Sequence, residues 1–198
     1  VYRIGLQTRE QHIRRDKATS NICTSQSLLT NVVAMYAIYH GKDGIRDISK
    51  TIIDKTYFLK TQLKYKLSLD ILYDNTFDTI CIKTPYASLL YSYCIANNIV
   101  LRKVEDDILC ISIDETTEID DCITILNLFA KSLGKNIVIN KLDYYKYEPI
   151  SLPNNLKRTT EFMENDLFKR YQDETSLLRY IYKLSQKDFT LCDGMIPL

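Results

Sequence analysis

Along the chain, stretches in which apolar residues recur at helical spacing give way to short stretches in which they recur at every second position. Thr19, Ser20 and Asn21 offer capping side chains, and Ile22, Leu28, Leu29, Val32, Val33, Met35, Tyr36 and Ile38 supply the apolar content of a long helix behind them. Apolar residues lie nearly all round that helix, so it is expected to be buried. Gly41 should end it. Asp43-Gly44 then opens a second helix carrying Ile45, Ile48, Ile52 or Ile53, Leu59 and Leu63, with a lysine-rich face toward solvent. From Thr76 the period changes. The run Phe77 to Lys83 is short, β-branched and bounded by Asp74-Asn75 and Pro85, which predicts a strand. Residues 86–97 read as a helix stopped by Asn97-Asn98, and 99–103 and 108–113 as strands joined by a hairpin turn at Glu105-Asp106-Asp107. Residues 119–133 read as an amphipathic helix closed by Gly134.

The predicted class is therefore α+β, with helices covering one face of a small, mainly antiparallel sheet. Residues 1–17 hold a weakly alternating strand end and a basic lead-in; residues 18–135 form a small α+β domain. Residues 136–198 form a linker and a helical arm. Between 137 and 160 no period is sustained, and from 161 to 188 helical signals return with Phe168, Leu177, Leu178, Tyr180, Ile181 and Leu184.

Composition adds limits. At 198 residues, 45% hydrophobic and 26% charged, the chain has the makings of an ordinary folded domain. Its 26 basic against 25 acidic side chains give a net charge of +1, which provides no general attraction to nucleic acid or to an anionic membrane. The 6 cysteines show no Cys-x-x-Cys spacing and read as reduced thiols, mostly small core residues. No apolar run approaches the ~20 residues needed to span a bilayer, and the first residues are polar and basic rather than a signal peptide, so a reducing, aqueous compartment is expected. The chain begins at Val1 and ends at Met195-Ile196-Pro197-Leu198, and both ends read as cut from a longer protein.

Candidate chemistry is sparse. The 5 glycines never fall in a Gly-x-Gly-x-x-Gly spacing, and no phosphate loop ends in Gly-Lys-Ser/Thr. His12 and His40 lack cysteines at zinc-ligand spacing, so no metal site is expected. A His12–Cys23 pair is the sharpest local nucleophile candidate, yet Cys23 falls in the first turn of an apolar helix, where a small buried residue is ordinary. The run Arg9 to Lys17 lies close to a helix start and could hold an anion, but Glu10 and Asp16 interrupt it, and a solvated or ion-paired segment is the simpler expectation. Asp114-Glu115-Thr116 joins a strand to a helix, where helix capping explains its carboxylates better than catalysis does. The residues alone name no reaction.

A resemblance does. The segment Leu6-Gln7-Thr8-Arg9-Glu10-Gln11-His12-Ile13-Arg14-Arg15-Asp16-Lys17-Ala18-Thr19-Ser20-Asn21-Ile22-Cys23-Thr24 closely resembles a signature stretch of the P-protein family of the glycine cleavage system. Further matches follow in family order. They are Gln26-x-Leu28-Leu29, Met35-Tyr36-Ala37-x-Tyr39-His40-Gly41, Phe77-Asp78-Thr79 and Ile111-Ser112-Ile113-Asp114-Glu115-Thr116. The tail adds Phe168-x-x-Tyr171-x-x-Glu174-Thr175-x-x-x-Arg179-Tyr180, Lys187-Asp188 and Met195-Ile196-Pro197-Leu198. The resemblance is weakest between Asn136 and Leu156. Where the family usually has His-Ser before the Glu-Thr of the arm, this chain has Gln172-Asp173.

The resemblance implies the small C-terminal domain of a fold type I, aspartate-aminotransferase-like enzyme that uses pyridoxal phosphate, at the end of the family's first half and with the arm toward the second half. It implies glycine decarboxylation with transfer of the aminomethyl group to the lipoyl arm of H-protein, in the bacterial cytoplasm or the mitochondrial matrix. The family's cofactor lysine lies in a His-Lys-Thr sequence of the second half, which this chain lacks, so no covalently held cofactor and no catalytic residue is expected here. The implied partners are the remaining P-protein region, H-protein and glycine. Arg9, Glu10, His12, Arg14, Arg15, Ser20, Asn21 and Thr24 are the expected interface or cofactor-entrance residues, being polar groups on the lead-in that the match covers without a gap. The competing expectations are a non-catalytic interaction or structural module and, less favoured by the charge balance, nucleic-acid binding through Arg9 to Lys17.

Overall fold

The structure is a computed structural model describing residues 27–148, 152–187 and 194. The expected strand end, the basic lead-in, the Thr19-Ser20-Asn21 cap and the last residues of the chain lie outside the described residues. Two compact units are present: Asp43–Glu161 on one side, and Val1–Lys42 with Phe162–Leu198 on the other.

Helix α1, Ser27–Thr61, runs through both units and is interrupted at Gly41, whose φ of 60° and ψ of −171° are non-helical. That backbone region is open essentially to glycine alone, so the expected stop at Gly41 has a conformational cause. A π turn, Gln62–Lys66, closes α1, with the Leu67 N–H donating to the Gln62 carbonyl at 3.1 Å.

The sheet unit contains strands β1 (Asp70–Ile71), β2 (Thr79–Lys83), β3 (Arg102–Lys103) and β4 (Ile108–Ser112), all paired antiparallel in the order β1-β2-β4-β3. Ile80 pairs with Ile111 and Ile82 with Leu109, and all four side chains are buried on one face. Helices α2 (Ala87–Ala96) and α3 (Ile119–Ser132) supply Ala87, Leu90 and Cys94, and Cys122, Leu126 and Phe129, to the same core. The second part of α1 adds Phe58, Leu59 and Leu63. The architecture is α+β, helices on a small antiparallel sheet.

Helix ends follow local chemistry. After α2, Asn98 adopts φ 61°, and the Ile99 and Asn98 N–H groups donate to the carbonyls of Cys94 (2.9 Å) and Ile95 (3.0 Å). After α3, Gly134 at φ 66° plays the same part, with Lys135 N–H reaching Ala130 O at 2.9 Å and Gly134 N–H reaching Lys131 O at 3.1 Å. Both are Schellman closures.

Three expectations need correction, and one strand is added to them. The apolar positions of the first helix are not all buried: Leu28 is 73% exposed and Val33 68%. The strand expected over 99–103 shrinks to Arg102–Lys103, because the Schellman closure of α2 uses the Ile99 N–H. The edge strand Asp70–Ile71 is the addition, with no sequence period of its own to predict it. Part of the linker expected over 137–160 is docked: α4 (Lys141–Tyr145) follows Ile139, which is 2% exposed. The Asn127 amide holds Ile139 by a reciprocal pair of hydrogen bonds, each 2.9 Å, and Tyr144 meets Phe58 edge-on at 5.2 Å between ring centroids.

In the other unit the described helices are α1 up to Gly41, α5 (Leu167–Arg170) and α6 (Glu174–Ser185). Asp173 caps α6, accepting from Ser176 N–H at 2.9 Å.

Candidate functional site

All eight interface candidates, Arg9, Glu10, His12, Arg14, Arg15, Ser20, Asn21 and Thr24, lie outside the described residues, as does the His12–Cys23 pair. Two other motif stretches are described, and the fold brings them together. Met35 to Gly41 and Phe168 to Tyr180 are far apart in sequence. In the structure Tyr39 donates from its hydroxyl to Glu174 Oε1 at 3.0 Å. That hydrogen bond, and the Glu174 charge, raise the Tyr39 pKa above the ordinary phenol value.

Gly41 explains the closeness of the two stretches. A Cβ at this position would lie 2.5 Å from the Phe168 carbonyl oxygen and 2.2 Å from Gln172 Nε2. Gln172 in turn donates from Nε2 to Phe168 O at 3.0 Å. The two residues at which the chain departs from the family pattern, Gln172 and Asp173, therefore have structural work: one lies against Gly41, the other caps α6. Tyr171 and Tyr180 stack at 4.3 Å between centroids.

Beside these contacts runs a groove of about 730 Å³ lined by residues that include Val32, Met35, Tyr39, His40, Leu177 and Ile181. Among the described residues no lysine, arginine, aspartate or glutamate lines it. It suits apolar side chains of a partner rather than a charged substrate.

The Ile111 to Thr116 motif is described in the sheet unit. Asp114 Oδ1 accepts from the N–H and hydroxyl of Thr116 at 3.0 and 2.8 Å, and from the N–H and hydroxyl of Thr117, both at 2.8 Å. Those donors, the Thr117 hydroxyl first, hold the Asp114 carboxyl below the ordinary carboxylate range. Asp114 builds the turn, while the cap of α3 is Glu118, whose N–H donates to Asp121 Oδ2 at 2.8 Å. The capping role expected of Asp114 thus moves four residues on.

Three described lysines are engaged elsewhere. Lys60, 8% exposed, donates to the Asp74 carbonyl and lies 5.3 Å from the Tyr57 ring centroid, and burial lowers its pKa. Lys55 donates to Thr117 O, and Lys135 to Leu67 O at 2.5 Å. Among the described residues no His, Cys, Asp and Glu cluster could hold a metal.

Two cysteines behave as expected of core residues: burial pushes the Cys94 and Cys122 thiols up to about 11. Two do not. Cys81 and Cys110 face each other across β2 and β4 with their sulfurs 2.8 Å apart. No Cys-x-x-Cys spacing links them along the sequence. The signal was there: each cysteine sits between two aliphatic residues of a strand, so aliphatics facing the core turn both thiols to the other face.

Compared with known proteins, residues 1–129 match the profile of the glycine cleavage system P-protein. Glycine dehydrogenase (decarboxylating) of Aliivibrio fischeri is 40% identical over 197 residues, covering 99% of this chain and 20% of that protein. The enzyme of Nostoc punctiforme is 42% identical over 208 residues (99% and 20%), and the mitochondrial enzyme of Solanum tuberosum 39% over 196 (99% and 19%). The chain therefore spans about a fifth of the length of these relatives. Its fold resembles a crystal structure of glycine decarboxylase (P-protein) in inhibitor-bound form, with a TM-score of 0.52 and 21% identity over 65% of this chain and 31% of that one. The signature residues, the motif stretches joined at Gly41 and a profile match reaching into α3 lead to one conclusion: this chain belongs to the glycine cleavage system P-protein family.

Proposed function

We propose that the chain is part of a glycine dehydrogenase (aminomethyl-transferring), catalytically inert alone and active only with the remaining P-protein region. The observation that carries this is the 40% identity over 99% of the chain to one fifth of the glycine dehydrogenase (decarboxylating) of Aliivibrio fischeri. In this reading glycine is decarboxylated and its aminomethyl group passes to the lipoyl arm of H-protein. The setting is the cytoplasm if the source is bacterial, or the mitochondrial matrix if it is eukaryotic.

Pyridoxal phosphate, when bound in the complete enzyme, supplies the electron sink for the carbanion formed on decarboxylation. The described residues do not fit that cofactor. The groove beside Tyr39 offers no lysine for its aldehyde, no aspartate for its ring nitrogen and no cation for its phosphate, and Lys60 is closed against Tyr57. In this reading the lysine belongs to another stretch of polypeptide, because the family's His-Lys-Thr sequence does not occur in this chain, and no chemical step is assigned to it.

The role left is to position and to cover. Residues 1–17 join the missing large domain, 18–135 form the small domain and 136–198 lead toward the second half. Arg9, Glu10, His12, Arg14, Arg15, Ser20, Asn21 and Thr24 line the shared interface or the cofactor entrance. The exposed Leu28, Leu29, Val32 and Val33 of α1 support the reading, since apolar surface of this density on one helix favours a partner. The test mixes the chain with the remaining P-protein region and lipoylated H-protein and follows glycine-dependent CO2 exchange. Exchange in the mixture and none with the chain alone is expected. A mixture that neither associates nor exchanges would favour the non-catalytic module instead.

A further inference from the structure

We propose that Cys81 and Cys110 form a site of reversible oxidation, closing an intrachain disulfide between the two central strands of the sheet. Three features of the strand pairing place the thiols for it. First, the two residues are register partners in the antiparallel pair β2–β4. Second, they occupy a non-hydrogen-bonded position. The Cys81 carbonyl accepts from Leu72 N–H at 3.0 Å, on the β1 side, while at the two ends of the β2–β4 pair Ile113 N–H donates to Asp78 O at 2.9 Å and Thr84 N–H to Asp107 O at 2.8 Å. Counting alternately from either bonded pair puts Cys81 opposite Cys110 where partner Cα atoms approach to about 4.5 Å and side chains are closest, a separation inside the window of roughly 4.4–6.8 Å that disulfides span. Third, the sulfurs already touch at 2.8 Å.

The surroundings separate the roles of the two thiols. Cys81 is half-buried, whereas Cys110 is 5% exposed. Burial first, and then the bond to Cys81, push the Cys110 thiol up to about 11, while Arg102, its register partner on β3, acts the other way. Cys81 is thus the thiol that an external reagent reaches, and Cys110 the one that resolves. Cys94 and Cys122, both fully buried, have no such neighbour among the described residues.

The oxidant is a small disulfide such as glutathione disulfide. The Cys81 thiolate attacks one of its sulfurs, forming a mixed disulfide and expelling one glutathione thiolate. The Cys110 thiolate then attacks the Cys81 sulfur, breaking the mixed bond and expelling the second. Two protein thiols are oxidised, one small disulfide is reduced to two thiols, and the two protons released by the cysteines pass to the leaving thiolates.

The test incubates the full chain in a glutathione disulfide buffer, alkylates without reductant and maps the peptides. A Cys81–Cys110 linked peptide, lost on adding dithiothreitol, is expected, with Cys94 and Cys122 alkylated only after unfolding. Cys110→Ser should stall at a stable glutathione adduct on Cys81. Cys81→Ser should slow reaction at residue 110 by roughly tenfold or more, since burial keeps that thiol protonated. Circular dichroism of both variants confirms that the sheet is intact. Full alkylation of both cysteines after oxidation, or a wild-type chain that stops at the glutathione adduct, would overturn the proposal.

Discussion

The sheet unit and the helical unit are built from the same kinds of residue, and they use them differently. In the sheet unit apolar residues close on each other: Phe58, Leu59, Leu63, Ile80, Ile82, Leu109, Leu126 and Phe129 share one core and are all fully buried. In the helical unit α6 buries none of its residues, and α1 before Gly41 leaves Leu28, Leu29, Val32 and Val33 open. The part of α1 after Gly41 therefore belongs to the core, while the part before it buries Ile38 and leaves most of its apolar residues in solvent, although both read as apolar. The difference teaches that apolar periodicity reports a need for a partner, whereas register and caps decide which part of the chain supplies it.

The comparison breaks most sharply in the core. Phe129→Ala should cost about 3–5 kcal/mol of the sheet unit's stability, read as a lowered urea midpoint, because a fully buried ring leaves a cavity that helix and sheet cannot collapse. Next comes Gly41→Ala. The backbone conformation alone costs on the order of 1–3 kcal/mol, and the new Cβ meets the Phe168 carbonyl, which cannot swing aside as a side chain can. Faster hydrogen exchange over residues 167–185 with the sheet unchanged is the expected pattern. Equal loss across the sheet would remove the distinction between the units.

A smaller effect should appear with acid. The folded-state pKa of Asp114 is depressed, so its contribution is present above the unfolded carboxylate value near ~4 and is lost as pH falls through the folded value. Asp114→Ala should lower the thermal midpoint by a few degrees at neutral pH and flatten its fall on acidification, measured by melts at several pH values. Smallest of all, Val33→Ser should change the stability of the isolated chain by no more than about 0.5 kcal/mol, since the side chain is already in solvent. The same change should weaken association with the remaining P-protein region.

Much of the sheet unit was legible. Period-two runs around Ile80 and Ile111, the period of α3 and the stops at Asn98 and Gly134 each rest on local physics, and each appears where the residues put it. Short or register-dependent features were not. β1 has two residues and exists because Ile82 and Lys83 pair with it, so no pattern within 70–71 could announce it. Helix α4 is too short for a period, although Asn140 and Asp143 spell its cap, with the Asn140 N–H donating to Asp143 Oδ2 at 2.9 Å. The alternation oriented Cys81 and Cys110, but only the register made them neighbours. The nearness of Tyr39 to Glu174 needed the fold. For the expected site from Arg9 to Thr24, the sequence motif remains the whole argument, since those residues lie outside the described ones.

The most direct test of the central claim, that the cofactor's lysine belongs to other polypeptide, is to incubate the purified chain with pyridoxal phosphate, reduce with borohydride and locate pyridoxyl groups by mass spectrometry. No lysine of this chain should be labelled at a single site in stoichiometric amount, while the lysine-bearing region treated alongside should be. A single, stoichiometric pyridoxyl-lysine within these 198 residues, formed together with yellow absorbance, would contradict the account.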